Sequence, residues 1–175
     1  MSHNSVRKPL WVAICLVALA LAVIGWNREP RQAPLHADRI LVEKSAHRLT
    51  LLWKGQIMKT YSVALGGSPV GPKRCEGDKK TPEGIYRIDS RLPQSSFHRA
   101  LHISYPTPAD RAQAQRLGCQ PGGAIMIHGL GTKFRWVGRL HTVSDWTSGC
   151  IAVTNQEIEE IWRAVPDGTV VEIRP

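Results

Sequence analysis

Between Leu10 and Trp26 the chain runs for seventeen residues without a charge, and this run limits what the remainder can fold into. Arg7 and Lys8 precede it, with Pro9 between. Such a stretch sits at the lower edge of the about 17–25 apolar residues that span a bilayer, and above the roughly 7–15 of a cleavable signal core. Residues 1–26 are therefore read as a membrane anchor or export signal. The uncleaved anchor is preferred, because the small residues Ala18, Ala20 and Ala22 that an A-x-A-like cleavage site would use lie inside the run. Cys15 follows Ile14, which is not the small residue a lipidation signal requires. Basic residues on the N-terminal side tend to stay in the cytoplasm, so the rest of the chain is expected to face outward.

Residues 27–37 hold two prolines and no periodicity, and read as a linker. What remains, residues 38–175, suffices for one core. Its first part alternates or runs apolar over strand lengths at Arg39–Glu43, Arg48–Trp53 and Gln56–Leu65, with Lys54-Gly55 as a tight connection. A further strand is predicted at Ile85–Asp89, a helix from the N-cap Thr107 to about Leu117, and a short buried strand over Ala124–Ile127. Thr154 and Glu157 form a capping box ahead of a helix whose apolar face is Ile158, Ile161, Trp162 and Val165. A last strand is predicted over Thr169–Ile173. The pattern is a mainly-β domain with two short helices.

The net charge of +9 falls to +6 after Leu35. The positive residues are scattered and no nucleic-acid reader motif accompanies them, which disfavours DNA or RNA and favours an anionic envelope. Outside the apolar run there are three cysteines, Cys75, Cys119 and Cys150, an odd number for an oxidising compartment. One must stay unpaired within the chain. A bridge between Cys75 and Cys119 is plausible, since both lie in Gly/Pro-rich sequence.

Cys150 follows Gly149, and His128 stands at the end of a predicted strand. A cysteine attacks as its thiolate, and a nearby imidazole both takes the proton and stabilises the anion. Gly149 lets the backbone approach a substrate, so the amides of Gly149 and Cys150 are candidates for an oxyanion hole. The same pair is compatible with a buried structural cysteine and a turn histidine, and spacing alone does not separate the two.

His128-Gly129 followed by Thr147-Ser148-Gly149-Cys150 resembles the motif of the L,D-transpeptidase (YkuD-type) catalytic domain family, in which a His-Gly precedes Ser/Thr-His-Gly-Cys. Thr81-Pro82-Glu83-Gly84 is similar to another recurrent element of that family, and the wording Asp145-Trp146-Thr147 and Cys150-Ile151-Ala152-Val153-Thr154-Asn155 resembles its YafK-like branch. The resemblance spans Asp38 to Ile173. It implies a β-sandwich-like catalytic domain without a cofactor, acting on peptidoglycan peptide stems from the bacterial inner membrane, or from the periplasm if the signal is cleaved. It also implies two acyl transfers. The Cys150 thiolate attacks the third residue of a tetrapeptide stem, releasing the terminal D-alanine, and an amine or water then resolves the thioester. His128 is the implied general base, oriented by a backbone carbonyl at Ser148. The branch is associated with detaching an envelope lipoprotein, so a hydrolase is the alternative, and a non-catalytic wall-binding module is a third.

Two positions depart from the family pattern: Ser148 stands where histidine is common, and Ala152 where arginine is common. Arg135 and Arg139 are candidates to replace the arginine, because guanidinium forks match carboxylates. Solvated loop charges explain them equally well. Gly129 and Trp146 are further candidates for the substrate groove. The spacing of His128, His141 and Cys150 matches no standard zinc pattern and lacks a fourth ligand, so no metal is expected. His98 and His102 are read as surface or packing residues, and Asp145 as a residue holding its own loop.

Overall fold

The computed structural model describes residues 36–175, so the apolar run and most of the linker lie outside the described residues. Among the described residues no helix is long and apolar enough to cross a membrane. Eight strands form one sheet in the order β3-β2-β1-β8-β4-β5-β6-β7. The first three, β1 (Arg39–Glu43), β2 (Arg48–Trp53) and β3 (Gln56–Ser62), make the expected antiparallel meander. Alternation explains it: Ile40 and Val42 are fully buried while Arg39 faces solvent, as a strand with one wet face requires. Lys54 and Gly55 both have positive φ, 49° and 78°, the mirror-turn geometry whose twist matches that of the flanking strands. The last strand, β8 (Val170–Arg174), lies parallel to β1 with Arg39 opposite Val170.

The strand expected at Ile85–Asp89 is the 12-residue β4 (Gly84–Ser95). Gly84 to Arg87 pair with β8, and the rest pairs with β5 (His98–Ile103). Register shifts between Ile88 and Ser90 and between Leu92 and Ser95 bend it. Pro93, which has no amide to donate, falls within the second shift, where a sheet tolerates it. This bent strand, shared by both halves, curls the sheet. Leu49 and Leu51 from the meander then meet Leu101 of β5, Ile127 of β6 (Met126–His128) and Ile151 of β7 (Ile151–Ala152) in one core. Val63 to Leu65, expected as the end of β3, instead cross to the far half of the sheet. There Ala64 and Ala152 exchange two backbone hydrogen bonds of 3.1 and 2.9 Å.

Among the described residues there are three α-helices rather than two: α1 (Pro108–Arg116), α2 (Gly131–Phe134) and α3 (Asn155–Ala164), with a 3₁₀ segment over Arg135–Val143. α1 and α3 begin at the predicted caps Thr107 and Thr154, each closed reciprocally by an acid three residues on. α3 buries Ile158, Ile161 and Ala164, and each isoleucine contributes about 1.5–3 kcal/mol on leaving water. The stretch from α2 through the 3₁₀ segment was expected as loop. No side-chain cap marks either start, and Gly138 breaks the second internally, so the usual start and stop signals are missing.

α1 buries only Ala114 and has little apolar hold on the domain. Its anchorage comes from the Cys75–Cys119 disulfide, whose Cα atoms are 5.7 Å apart, and from the Glu76 amide donating to the Gln120 carbonyl at 2.7 Å. Among the described residues Cys150 is the free thiol. The bridge closes a sequence separation of 44 residues, which removes about 4 kcal/mol of unfolded-chain entropy on the loop-closure account. Replacing Cys75 and Cys119 together with alanine is expected to lower the unfolding free energy by about 2–4 kcal/mol in a urea titration. An unchanged midpoint would contradict this.

Candidate active site

β6 and β7 run parallel, with Ile127 opposite Ile151 and His128 opposite Ala152. Ile127 and Ile151 are fully buried in the core. Strand side chains alternate between faces, so His128, Ala152 and Cys150, one residue before β7, project to the other face. A histidine and a cysteine separated by 22 positions in the sequence thus become diagonal neighbours on one side of the sheet.

The turn that delivers Cys150 is tied internally and externally. The Thr147 hydroxyl donates to the Cys150 carbonyl at 2.8 Å and accepts from the Gly149 amide at 3.0 Å. Thr147 also bonds through its backbone to Leu65 and Gly67, at 3.1 and 3.0 Å. Gly149 has φ of +131°, and a Cβ there would lie 2.6 Å from the Lys80 carbonyl oxygen, so no larger residue fits. Asp145 reaches well beyond its own loop. Its carboxylate accepts from the Leu65 amide at 2.7 Å and meets His47 Nε2 at 2.9 Å.

His128 is 2% exposed. Its Nδ1–H donates to the Gly129 carbonyl at 2.6 Å, which fixes the neutral tautomer and leaves Nε2 as a proton acceptor. The orienting carbonyl is therefore that of Gly129 and not of Ser148. Phe97 lies against the imidazole at 4.4 Å between ring centroids, and Trp146 meets it edge-on at 5.9 Å. Burial holds the His128 pKa below its ordinary value of 6.5, with the Gly129 carbonyl opposing and the nearby His141 adding to the depression. Burial likewise pushes the Cys150 thiol above its ordinary 9.0, opposed by the Met126 amide and the Lys73 ammonium. Both shifts favour an uncharged resting pair.

The remaining sequence candidates separate. The Gly149 amide is occupied by Thr147, so of the two expected oxyanion donors only the Cys150 amide is uncommitted to that turn. Gly129 serves His128 through its carbonyl, and a Cβ there would fall 2.7 Å from Asn155 Oδ1. Arg135 and Arg139 line a 400 Å³ cavity with Lys59, Tyr61 and Glu160, a cavity whose walls include neither His128 nor Cys150. Arg139 faces Glu157 at 3.9 Å. Ala152, where the family pattern commonly carries arginine, is fully buried. Trp146 does stand beside the imidazole, as a groove wall would.

Sequence reasoning missed three contributors. Phe97 and Lys73 carry no local motif, and both reach the site through long-range packing. His141 was weighed only as a metal ligand. It is 7% exposed, and neither ring nitrogen has a hydrogen-bond partner among the described residues. An unsatisfied buried polar group costs about 1–3 kcal/mol, so its retention needs a reason.

A model of the L,D-transpeptidase catalytic domain matches residues 37–173 of the chain. The protein YafK from Escherichia coli K12 is 32% identical over 118 residues, which is 66% of this chain and 40% of YafK. YqjB from Bacillus subtilis is 27% identical over 144 residues, covering 80% of this chain and 73% of that protein. Among solved structures, the helical cell shape determining protein Pgp2 from Campylobacter jejuni superposes with a TM-score of 0.60 at 27% identity, over 77% of this chain and 46% of Pgp2. An L,D-transpeptidase from Enterococcus faecium shares the fold at a TM-score of 0.51 and 14% identity, over 80% of this chain and 50% of its own. The chain spans less than half the length of YafK and of Pgp2.

The electrostatics of the pair are measurable. The rate of Cys150 alkylation by iodoacetamide is expected to rise with an inflection above pH 9.0, because burial disfavours the thiolate. An inflection well below that value would show a resting ion pair instead.

Proposed function

The chain belongs to the L,D-transpeptidase catalytic domain family, and on that premise we propose that it is a cysteine acyltransferase acting on peptidoglycan tetrapeptide stems. His128 carries this reading. Its Nδ1–H is committed to the Gly129 carbonyl, and Nε2 remains to take a proton on the sheet face that it shares with Cys150.

In the first half-reaction the Cys150 proton passes to His128 Nε2 and the sulfur attacks the carbonyl carbon of the third stem residue. The Cys150 amide donates to the developing oxyanion. Collapse breaks the amide bond, and the terminal D-alanine leaves with the proton that His128 returns. In the second, an amine or water attacks the thioester. A neutral starting pair suits this sequence, since His128 must be unprotonated to accept and the thiol is spent only when substrate arrives. Trp146 and Phe97 wall the groove and keep water from the imidazole.

Ala152 favours a second reading of the same site. The alanine is fully buried where the family pattern commonly carries arginine, and YafK is among the similar proteins. A site without that guanidinium suits a hydrolase that trims stems or releases a wall-linked lipoprotein. With Leu10–Trp26 as an anchor, the domain would work on the outer side of the inner membrane.

Cys150→Ala is expected to abolish turnover of tetrapeptide stems and to remove the mass adduct that a carbapenem leaves on the intact protein. His128→Gln should lower turnover by about 100- to 10,000-fold, the usual contribution of a general base. Activity surviving Cys150→Ala would sink the proposal. Muropeptide analysis then separates the two readings, because new cross-links report an amine acceptor and shortened stems or released protein report water.

A further inference from the structure

Across Trp146 from His128 lies a 350 Å³ cavity that the chemistry described so far does not use. Its walls are Leu130, Phe134, Val137, Leu140 and Trp146, and the polar residues among them are His141 and Ser144. Trp146 belongs to this cavity and also meets His128 edge-on. His141 lies close enough that protonating it would disfavour protonation of His128. His141, in the 3₁₀ segment, lines this cavity, whereas His128, at the end of β6, is not among its walls and adjoins it across Trp146, which touches both.

A buried histidine with two unpaired nitrogens in an apolar wall is costly to keep as packing, since leucine would fill the place without unmet hydrogen bonds. Burial keeps His141 neutral, below its ordinary 6.5. A neutral imidazole offers one lone pair and one N–H, and an apolar surround excludes a charged ammonium while admitting water or an uncharged amine.

We propose that His141 binds the nucleophile that resolves the Cys150 thioester, accepting a hydrogen bond from a water or neutral primary amine held at the mouth of this cavity. The inference rests on the acyl-transfer reading above. The acceptor's lone pair forms the new bond to the thioester carbon and the carbon–sulfur bond breaks. One acceptor proton passes to His128 Nε2 and on to the departing Cys150 sulfur. The acceptor's second N–H or O–H stays bonded to a His141 nitrogen, which orients the lone pair and takes no proton. His141 thus acts in the second half-reaction and not in the first.

The test uses the full chain with a tetrapeptide stem as donor, with and without a stem peptide carrying a free side-chain amine. Intact-protein mass spectrometry after rapid mixing reads acylation and resolution separately. His141→Leu is expected to leave acylation within about twofold and to slow resolution by about tenfold or more, the loss of one hydrogen bond in a dry site, so that the thioester accumulates. Its melting temperature should hold or rise, whereas a merely structural histidine would lower it. His141→Gln, which keeps an acceptor, should recover part of the resolution rate. If added amine speeds resolution in the native protein but not in His141→Leu, the bound acceptor is the amine; if only hydrolysis slows, it is water. Resolution unchanged in both variants, or acylation slowed as much as resolution, overturns the proposal. Absence of any adduct on Cys150 in the native protein would instead remove the acyl-transfer reading on which it stands.

Discussion

The site depends on three backbone segments approaching more closely than side chains permit. Gly66 packs directly against the Lys79 carbonyl and the Gly149 Cα, and Gly149 packs against the Lys80 carbonyl. Thr81 joins them through its hydroxyl, which accepts from the Gly66 amide at 3.0 Å. At such distances there is little freedom in where the next residue, Cys150, can sit. Thr147 and Asp145 carry the constraint outward, to Leu65 and to His47. Positioning a side chain through backbone contact leaves little entropy to be lost when it later engages a partner, because that entropy was given up on folding.

Electrostatically the site is restrained rather than primed. The groups that would stabilise a thiolate, the Met126 amide and the Lys73 ammonium, are present but outweighed by burial. Lys73 is itself committed to Asp78 at 2.9 Å, which blunts its field at the sulfur. A thiol held neutral in this way resists adventitious oxidation, since the thiolate is the form that oxidises.

Much of this was legible in the sequence wherever the determining forces are local. The bounds of β1 and β2 follow from alternation, and both capped helices begin at the threonines whose hydroxyls close the first turn. The Cys150–His128 juxtaposition was readable through its motif. What escaped was set by contacts between distant residues. The length of β4 depends on which neighbours it serves, and Pro93 concealed it. The orienting carbonyl belongs to Gly129 because of how the His128 ring is turned, which no spacing reveals. Arg135 and Arg139 were offered to the substrate because guanidinium forks match carboxylates, yet they line a cavity whose walls include neither His128 nor Cys150. His141 lacked a motif altogether. Its signal is an unmet hydrogen-bonding capacity, and that exists only after folding has buried it.

The parallel pairing of β1 with β8 sets how the domain would bear mechanical load. Five registered residue pairs, from Arg39–Val170 to Glu43–Arg174, join the first strand to the last. Tension entering at the start of β1 and leaving at the end of β8 runs along both strands in opposite directions, so their hydrogen bonds are loaded in shear and must fail together. The antiparallel β2–β3 hairpin, by contrast, would open one bond at a time if pulled from its free edge. Resistance to pulling is governed by the rate of unfolding rather than by equilibrium stability. A domain loaded through these two strands would thus keep Cys150 in place under forces that peel a hairpin apart.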